Sequence, residues 1–206
     1  MDRYALSSAK RAVVRLIAIL FFAVGGFYIA NAPLPLVAPQ WTAWSWSEDH
    51  GFVGEPEAML PDVARLKLAA DPAARARFLE RLHEPRVRVR HLLLDLTTSI
   101  PAIVILCGVG VALWRSTRQA ADAIESGLPW LMAVGWACVV LAIALPLADG
   151  FRTGLLLQGV LPTPDFWFDI DTGGILYTLL IAAGILAATW TISAGLKARA
   201  DMAEIV

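Results

Sequence analysis

Four long apolar stretches, separated by polar segments, dominate the hydrophobic pattern of this chain. At a rise of 1.5 Å per residue, each stretch is long enough to cross the ~30 Å hydrocarbon core of a bilayer. The pattern therefore predicts an all-α membrane protein with four transmembrane helices. The predicted spans are residues 12–32, 91–114, 128–148 and 174–196.

The polar segments between these spans differ in length and character. The longest, residues 33–90, follows the first span and is predicted to be an extracytoplasmic segment of short helices. The shorter ones are an amino-terminal arm, a turn, a second outer loop and a tail, at residues 1–11, 115–127, 149–173 and 197–206.

Two short helices are predicted within the long segment, over residues 61–70 and 71–83. Asp71 is the expected N-cap of the second helix, because a side-chain oxygen there can accept from the first free backbone N–H groups. Ala74, Phe78 and Leu82 recur every four residues and form an apolar stripe. We expect this stripe to lie on the membrane or on the other outer loop.

Proline and tryptophan mark the beginning of the same segment. Residues 33–39 contain three prolines and are predicted to run extended. Trp41, Trp44 and Trp46 follow. They are typical of an aromatic belt at the membrane surface, and a ligand platform is the alternative interpretation.

The distribution of basic residues predicts the orientation. The arm, the turn and the tail carry most of the Lys and Arg residues outside the long segment, whereas the second outer loop contains only Arg152. Cytoplasmic loops are enriched in these residues. We therefore expect a multi-pass protein of the bacterial inner membrane with both termini in the cytoplasm.

Composition and charge exclude several classes of function. The chain has 206 residues, of which 58% are hydrophobic and 17% charged, and its net charge is −1. This balance disfavours direct nucleic-acid binding, which needs clustered basic residues. Only Arg15 and Asp95 place a charge inside a span, and both lie near its ends, so coupled transport is not expected. Because catalytic motifs are absent from the sequence, we predict neither an enzyme nor a bound cofactor.

Cys107 and Cys138 are predicted to lie at equal depth in the second and third spans. Two thiols at one level on adjacent helices would permit a redox pair if they faced each other. Packing of small apolar residues is the alternative role.

Histidine and aspartate residues on the outer side are candidates for a metal site. An alternative is that the acidic loop pairs with the nearby arginines of the long segment. The candidate metal ligands are His83, His91, Asp165, Asp169 and Asp171.

Small residues recur at four-residue spacing in the spans and permit close approach between helices. Packing within the bundle and self-association are both compatible with this pattern. Examples are Gly26 with Ala30, Gly108 with Ala112, and Gly184 with Ala188.

The second half of the chain resembles the YoaS-like family of small bacterial four-helix membrane proteins of unknown function. The resemblance rests on Ile100 and Pro101 at the second span, on Arg115, Ala121 and Ile124 in the turn, and on the terminal run from Leu196 to Val206. It implies a regulatory membrane protein whose partner is a small cytoplasmic helix-turn-helix regulator.

The cytoplasmic turn and tail are the surfaces on which such a partner would bind. On a helical tail, Met202 and Ile205 form a small apolar stripe beside acidic residues, which suits a groove on a partner. The candidate partner-binding residues are Arg115, Arg118, Arg199, Asp201, Met202, Glu204 and Ile205. A non-catalytic subunit of a larger membrane complex is the alternative function, and a metal-dependent protein or enzyme of the outer face is the third.

Overall fold

The computed structural model describes residues 8–37, 44–47, 51–54, 56–118, 124–161 and 171–204. This part of the chain contains seven α-helices and two short strands. They are α1 (Ser8–Asn31), α2 (Leu34–Val37), β1 (Trp44–Ser47), β2 (Gly51–Gly54), α3 (Asp62–Ala70), α4 (Pro72–Leu82), α5 (Pro85–Ser116), α6 (Leu128–Leu157) and α7 (Thr172–Glu204).

Four of these helices, α1, α5, α6 and α7, are long and apolar enough to cross a membrane. Only 11–33% of their most apolar windows is buried inside the chain. Their remaining apolar side chains face outward, where lipid is the medium that removes them from water. The predicted class, an all-α membrane protein with four spanning helices and short helices after the first, is therefore confirmed.

The chain divides into two compact units. The first, here called the bundle unit, comprises Met1–Ile29, Ile100–Ile143 and Thr172–Val206. The second, here called the short-helix unit, comprises Ala30–Ser99 and Ala144–Asp171. The division lies close to Pro101 in α5 and Pro146 in α6, which are the prolines inside these two helices.

Close contacts define an antiparallel order in the bundle unit. A Cβ atom on Gly25 of α1 would lie 3.0 Å from Cys107 Sγ of α5, and Arg15 Nε lies 3.3 Å from Thr117 Oγ1. Residues later in α1 thus contact residues earlier in α5, so these two helices are antiparallel. Similar contacts order the next two pairs of helices: Gly108 with Val134 and Gly127 with Ala112 for the second pair, and Gly135 with Leu186 and Cys138 with Ala182 for the third. Successive helices of this unit therefore alternate in direction.

The short-helix unit has its own hydrophobic core. The stripe of Ala74, Phe78 and Leu82 on α4 is buried in one cluster with Leu156 and Leu157 of α6. The other buried members are Leu60, Ala64, Leu68, Val87 and Val160. Of the two surfaces expected for this stripe, the structure thus selects the other loop region, because apolar side chains are available there to exclude water.

The predicted helices α3 and α4 are confirmed, and so is the capping role of Asp71. Its Oδ1 accepts hydrogen bonds from the backbone N–H groups of Ala73 and Ala74, at 3.0 and 3.1 Å. Pro72 occupies the first helical position, where the missing N–H removes no hydrogen bond.

Helix α6 continues past residue 148 to Leu157, into the region predicted to be an outer loop. Its last two leucines, Leu156 and Leu157, pack in the core of the short-helix unit, so the additional helical turns bury apolar side chains. Gly159 ends the helix with φ of 77°, a left-handed conformation that costs a glycine little. Helix α5 also begins before the predicted span, at Pro85.

The expectation that residues 33–39 run extended is wrong for its first part. Leu34–Val37 forms one helical turn, and the backbone N–H of Leu36 donates to the carbonyl of Pro33 at 3.0 Å. Both Pro33 and Pro35 lie in this first turn, where a helix uses no backbone N–H donors, so neither proline prevents it.

Two short strands also occur in the long segment, for which short helices and an extended beginning were predicted but no strands. β1 and β2 pair antiparallel, with Trp44 opposite Gly54 and Ser47 opposite Gly51. Trp41 lies outside the described residues, and the structure describes only the backbone of Trp44 and Trp46. The aromatic-belt interpretation therefore stays a prediction.

Candidate functional site

A charged network joins α5 to α6 inside the short-helix unit. Arg152 Nη2 donates a 2.7 Å hydrogen bond to Asp95 Oδ1, and Arg152 Nη1 donates a 2.7 Å hydrogen bond to Asp149 Oδ1. The Arg152 side chain is 19% exposed and that of Asp95 is 24% exposed. One largely shielded guanidinium therefore bridges carboxylates from two helices.

His91 adds an imidazole to this network. Its Nε2 lies 3.7 Å from Asp95 Oδ1, and the residue is 2% exposed. This distance is too long for a hydrogen bond, so the contact is an ion pair only when the imidazole is protonated. The network thus combines two carboxylates, one guanidinium and one buried imidazole.

Helical spacing places these side chains on facing surfaces. His91 and Asp95 are four residues apart on α5, while Asp149 and Arg152 are three residues apart on α6. Residues at these spacings share one face of a helix. Because a carboxylate without a partner in apolar surroundings costs several kcal/mol, Arg152 and Asp95 stabilise each other as a clamp between the helices.

Arginines of α4 make a second connection, to the end of α6. Arg81 Nε donates to the carbonyl of Leu155 at 3.1 Å, and Arg77 Nη2 donates to the carbonyl of Val160 at 3.3 Å. The Leu155 carbonyl belongs to the last turn of α6, where carbonyl groups lack intrahelical donors and carry partial negative charge, whereas Val160 lies just past the end of that helix. These arginines supply both the donors and the opposite charge.

An apolar groove lies beside the charged network, between a different face of α5 and the end of α6. Its volume is about 370 Å³. Thr97 in its wall directs its hydroxyl to the carbonyl of Leu94 at 2.6 Å, so this polar group is already satisfied. The lining residues are Arg90, Leu93, Leu94, Thr97, Phe151 and Leu155.

This network is not predicted from the amino-acid sequence. His91 was assigned to a surface metal site and Arg152 to an outer loop, and only Asp95 was recognised as a charge within a span. A signal was nevertheless present, because an ionisable residue in a span requires a partner. Arg152 follows the end of the next predicted span, on the same predicted side as the beginning of the span that contains Asp95.

In the bundle unit, two arginines stack on tryptophans. The guanidinium carbon of Arg15 lies 5.9 Å from the centroid of a Trp114 ring, and that of Arg115 lies 5.8 Å from a Trp130 ring. Arg115 Nη1 also donates to the carbonyl of Ser126 at 2.7 Å. Arg115, a candidate partner-binding residue, thus contacts Trp130 and Ser126 of its own chain and stabilises the turn.

Other candidate partner-binding residues are open to the surroundings. Arg118, Asp201 and Met202 are exposed, and Met202 is 60% exposed. Only the backbone is described for Arg199 and Glu204, and Ile205 lies outside the described residues.

Cys107 and Cys138 are both free thiols, and each packs on a different neighbouring helix. Cys107 Sγ faces the backbone of α1 at Gly25, whereas Cys138 is buried in a cluster with Val134 of its own helix and Ala182 of α7. The redox pair stays a prediction, and the observed contacts of both thiols are those of small packing residues.

The structure gives His83 and His91 separate partners. His83 Nδ1 lies 2.8 Å from the carbonyl oxygen of Leu79, whereas His91 faces Asp95. Within the described ranges, no group of three His, Cys, Asp or Glu side chains is arranged to hold a metal ion. Asp171 is exposed, and Asp165 and Asp169 lie outside those ranges.

The small-residue pairs differ in their surroundings. Gly108 and Ala112 are buried within the bundle unit, and a Cβ atom on Gly108 would lie 2.6 Å from Val134 Cγ2. Gly26 and Gly184 instead have no atom within 4 Å of an added Cβ. The first pair therefore serves internal packing, and self-association stays a prediction for the outward pairs.

Comparisons of this chain with models of protein families, with curated proteins and with solved structures found no match. The resemblance to the YoaS-like family therefore stays a prediction. What the fold and composition establish is a multi-pass membrane protein built on a bundle of four apolar helices.

Proposed function

We propose that this protein is a regulatory protein of the bacterial inner membrane that binds and controls a cytoplasmic partner. The observation that supports this function is an exposed mixture of apolar and charged side chains at one end of the bundle unit. Ile124 and Met202 are 57% and 60% exposed there, beside the exposed charges of Arg118 and Asp201.

The alternating helix directions support a shared surface. The start of α1, the turn between α5 and α6, and the end of α7 lie at the same end of the bundle unit. A partner that contacted the turn could therefore also contact the tail. Exposed apolar side chains ringed by charge are typical of surfaces that bind another protein.

The proposed orientation places this end in the cytoplasm. The arm, the turn and the tail carry seven basic residues, and cytoplasmic segments are enriched in Lys and Arg. These residues are Arg3, Lys10, Arg11, Arg115, Arg118, Lys197 and Arg199. The short helices α3 and α4 would then face the extracytoplasmic side, where a signal from the outside or from the bilayer would act.

The resemblance to the YoaS-like family implies the class of partner, a small helix-turn-helix transcription regulator. In this proposal the membrane protein holds the regulator through the turn and tail and releases it when the signal arrives. The chain itself does not contact nucleic acid.

The test is affinity purification of the full chain in mild detergent, with identification of the proteins that co-purify. Arg118→Glu and Met202→Asp should each reduce recovery of the partner at least about fivefold, as expected for loss of one favourable contact in a small interface. Arg115 is left unchanged because it stabilises the turn.

Arg86→Glu is the matched control, since Arg86 is an exposed arginine on the opposite side in this proposal. It should leave recovery unchanged. Equal recovery with all three variants would contradict the proposed binding surface, and a partner without a DNA-binding fold would contradict the proposed class of regulator.

A non-catalytic subunit of a larger membrane complex is the second candidate. It is favoured by the outward pairs Gly26 with Ala30 and Gly184 with Ala188, which would let a helix of another membrane protein approach closely. In the same purification, this function predicts integral membrane proteins whose recovery is insensitive to Arg118→Glu and Met202→Asp but falls with Gly184→Leu.

A further inference from the structure

The two faces of α5 that meet α6 have opposite character. One face carries His91 and Asp95, which belong to the charged network. The other carries Arg90, Leu93 and Thr97, which line the apolar groove. On α6, Arg152 likewise faces the network, while Phe151 faces the groove. The network therefore fixes the separation of the two groove walls.

The lining of the groove is apolar except for Thr97, whose hydroxyl is already hydrogen-bonded, and one cation, Arg90. Leu93 and Phe151 are more than half exposed on its walls, although they lie on helices long and apolar enough to span a membrane. Arg90 is also exposed and makes no hydrogen bond or ion pair with the part of the chain that the structure describes. An apolar groove with an exposed cation in its lining complements an amphiphile with an anionic head.

We infer that this groove binds one anionic phospholipid, with an acyl chain along Leu93, Leu94, Phe151 and Leu155 and the headgroup phosphate on Arg90. A volume of about 370 Å³ lies within the range of ~300–1,000 Å³ found for small-ligand sites. A guanidinium can donate two parallel hydrogen bonds to a phosphate, which gives the headgroup a fixed position.

The neighbouring arginines do not substitute for Arg90. Arg88 is engaged by the backbone, since its Nε lies 3.3 Å from the carbonyl oxygen of Leu82 and its Nη1 lies 3.3 Å from that of Leu36. Arg86 is exposed but does not line the groove. This site does not depend on the proposed regulatory function, because lipid binding can be measured without a protein partner.

The test is native mass spectrometry of the full chain released from detergent micelles, after addition of phosphatidylglycerol or of phosphatidylcholine with the same acyl chains. The unmodified protein should bind one phosphatidylglycerol in preference to phosphatidylcholine. Arg90→Gln should weaken phosphatidylglycerol binding about fivefold, the usual effect of one basic residue facing anionic lipid. Thr97→Trp, which fills the groove, should weaken the binding of both lipids.

Arg86→Gln is the matched control and should bind like the unmodified protein. Equal losses for Arg86→Gln and Arg90→Gln would show general electrostatic attraction and would overturn the site, as would unchanged binding by Thr97→Trp. If the groove instead holds a second copy of the chain, the same spectra will show a dimer that Thr97→Trp dissociates. Thermal unfolding of each variant in detergent confirms that the compared proteins are folded.

Discussion

Arg152 and Asp95, which are 57 residues apart in the sequence, are joined by a 2.7 Å hydrogen bond between oppositely charged groups. The bond fastens α6 to α5 where both helices carry apolar side chains on their other faces. Asp149 Oδ1 accepts a hydrogen bond from Nη1 of the same guanidinium, also at 2.7 Å. Charge complementarity at this point therefore contributes both to the packing of two long helices and to the shape of the groove beside them.

Removing one member of this pair should destabilise the protein more than removing both. Arg152→Met leaves a mostly shielded carboxylate without its partner and should cost about 2 kcal/mol. The double variant Asp95→Leu with Arg152→Met should recover a large part of that loss, because the shielded carboxylate is removed together with its partner and the remaining carboxylate, Asp149, is more than half exposed. Thermal unfolding in detergent of the four proteins in this cycle measures the coupling, and strictly additive effects would show that the two side chains do not interact.

Phe78 should be essential for the stability of the short-helix unit. It is fully buried in the cluster with Leu156 and Leu157, so Phe78→Ala removes apolar contacts and leaves a cavity at a cost of about 3–5 kcal/mol. Its neighbour Leu79 is partly exposed and provides the control, since Leu79→Ala should have a much smaller effect. Limited proteolysis should cut the first variant faster within residues 56–84. Similar cleavage of the two variants would argue against the buried position of Phe78.

Two glycines in the apolar helices should respond oppositely to alanine. A Cβ atom on Gly135 would lie 2.6 Å from Leu186 Cδ2 and 2.7 Å from Leu186 Cγ, so Gly135→Ala should displace Leu186 and cost about 1–3 kcal/mol. Gly184 has open space around it, and Gly184→Ala should be neutral or stabilising by up to about 1 kcal/mol. Unfolding midpoints in detergent test this difference. A loss of stability in the Gly184 variant would place another chain against that face.

The contribution of the α4 N-cap, Asp71, to stability should be measurable by a single substitution. Asp71→Ala removes the acceptor of two backbone hydrogen bonds and should destabilise the short-helix unit by about 1 kcal/mol, whereas Asp71→Asn should restore most of the loss. Asp62→Ala is the control, because the Asp62 side chain is 92% exposed and, within the described ranges, pairs with Arg65, one turn away on the same helix. Limited proteolysis within residues 56–84 measures the loss of stability. Equal cleavage rates of the two alanine variants would rule out the cap as the cause.

The features that were correctly predicted from the sequence depend on interactions that are local in the chain. The spans are recognisable because their apolar runs exceed the thickness of a bilayer. The ends of α4 follow from Asp71 and Pro72, which act on the turn immediately after them. The stripe of Ala74, Phe78 and Leu82 is likewise visible in the sequence, because helical periodicity relates its members without reference to the rest of the fold.

The sequence could not specify which distant surfaces these elements would contact. The same periodicity that marks the α4 stripe is compatible with a membrane or with a protein core, and only the end of α6 settles its environment. The conformation of residues 33–37 also could not be predicted from the sequence, because proline is unfavourable inside a helix but acceptable at its beginning.

The four segments that can cross a bilayer are predictable from the amino-acid sequence, because hydrophobicity and length are properties of each segment alone. The partners of the charged side chains are visible only in the folded chain, where Asp95 pairs with Arg152, His91 is buried beside them, and Arg115 supports its own turn. A charge in an apolar helix predicts the need for a partner. The identity of that partner depends on helix register and rotation, which are set by the packing of many side chains together.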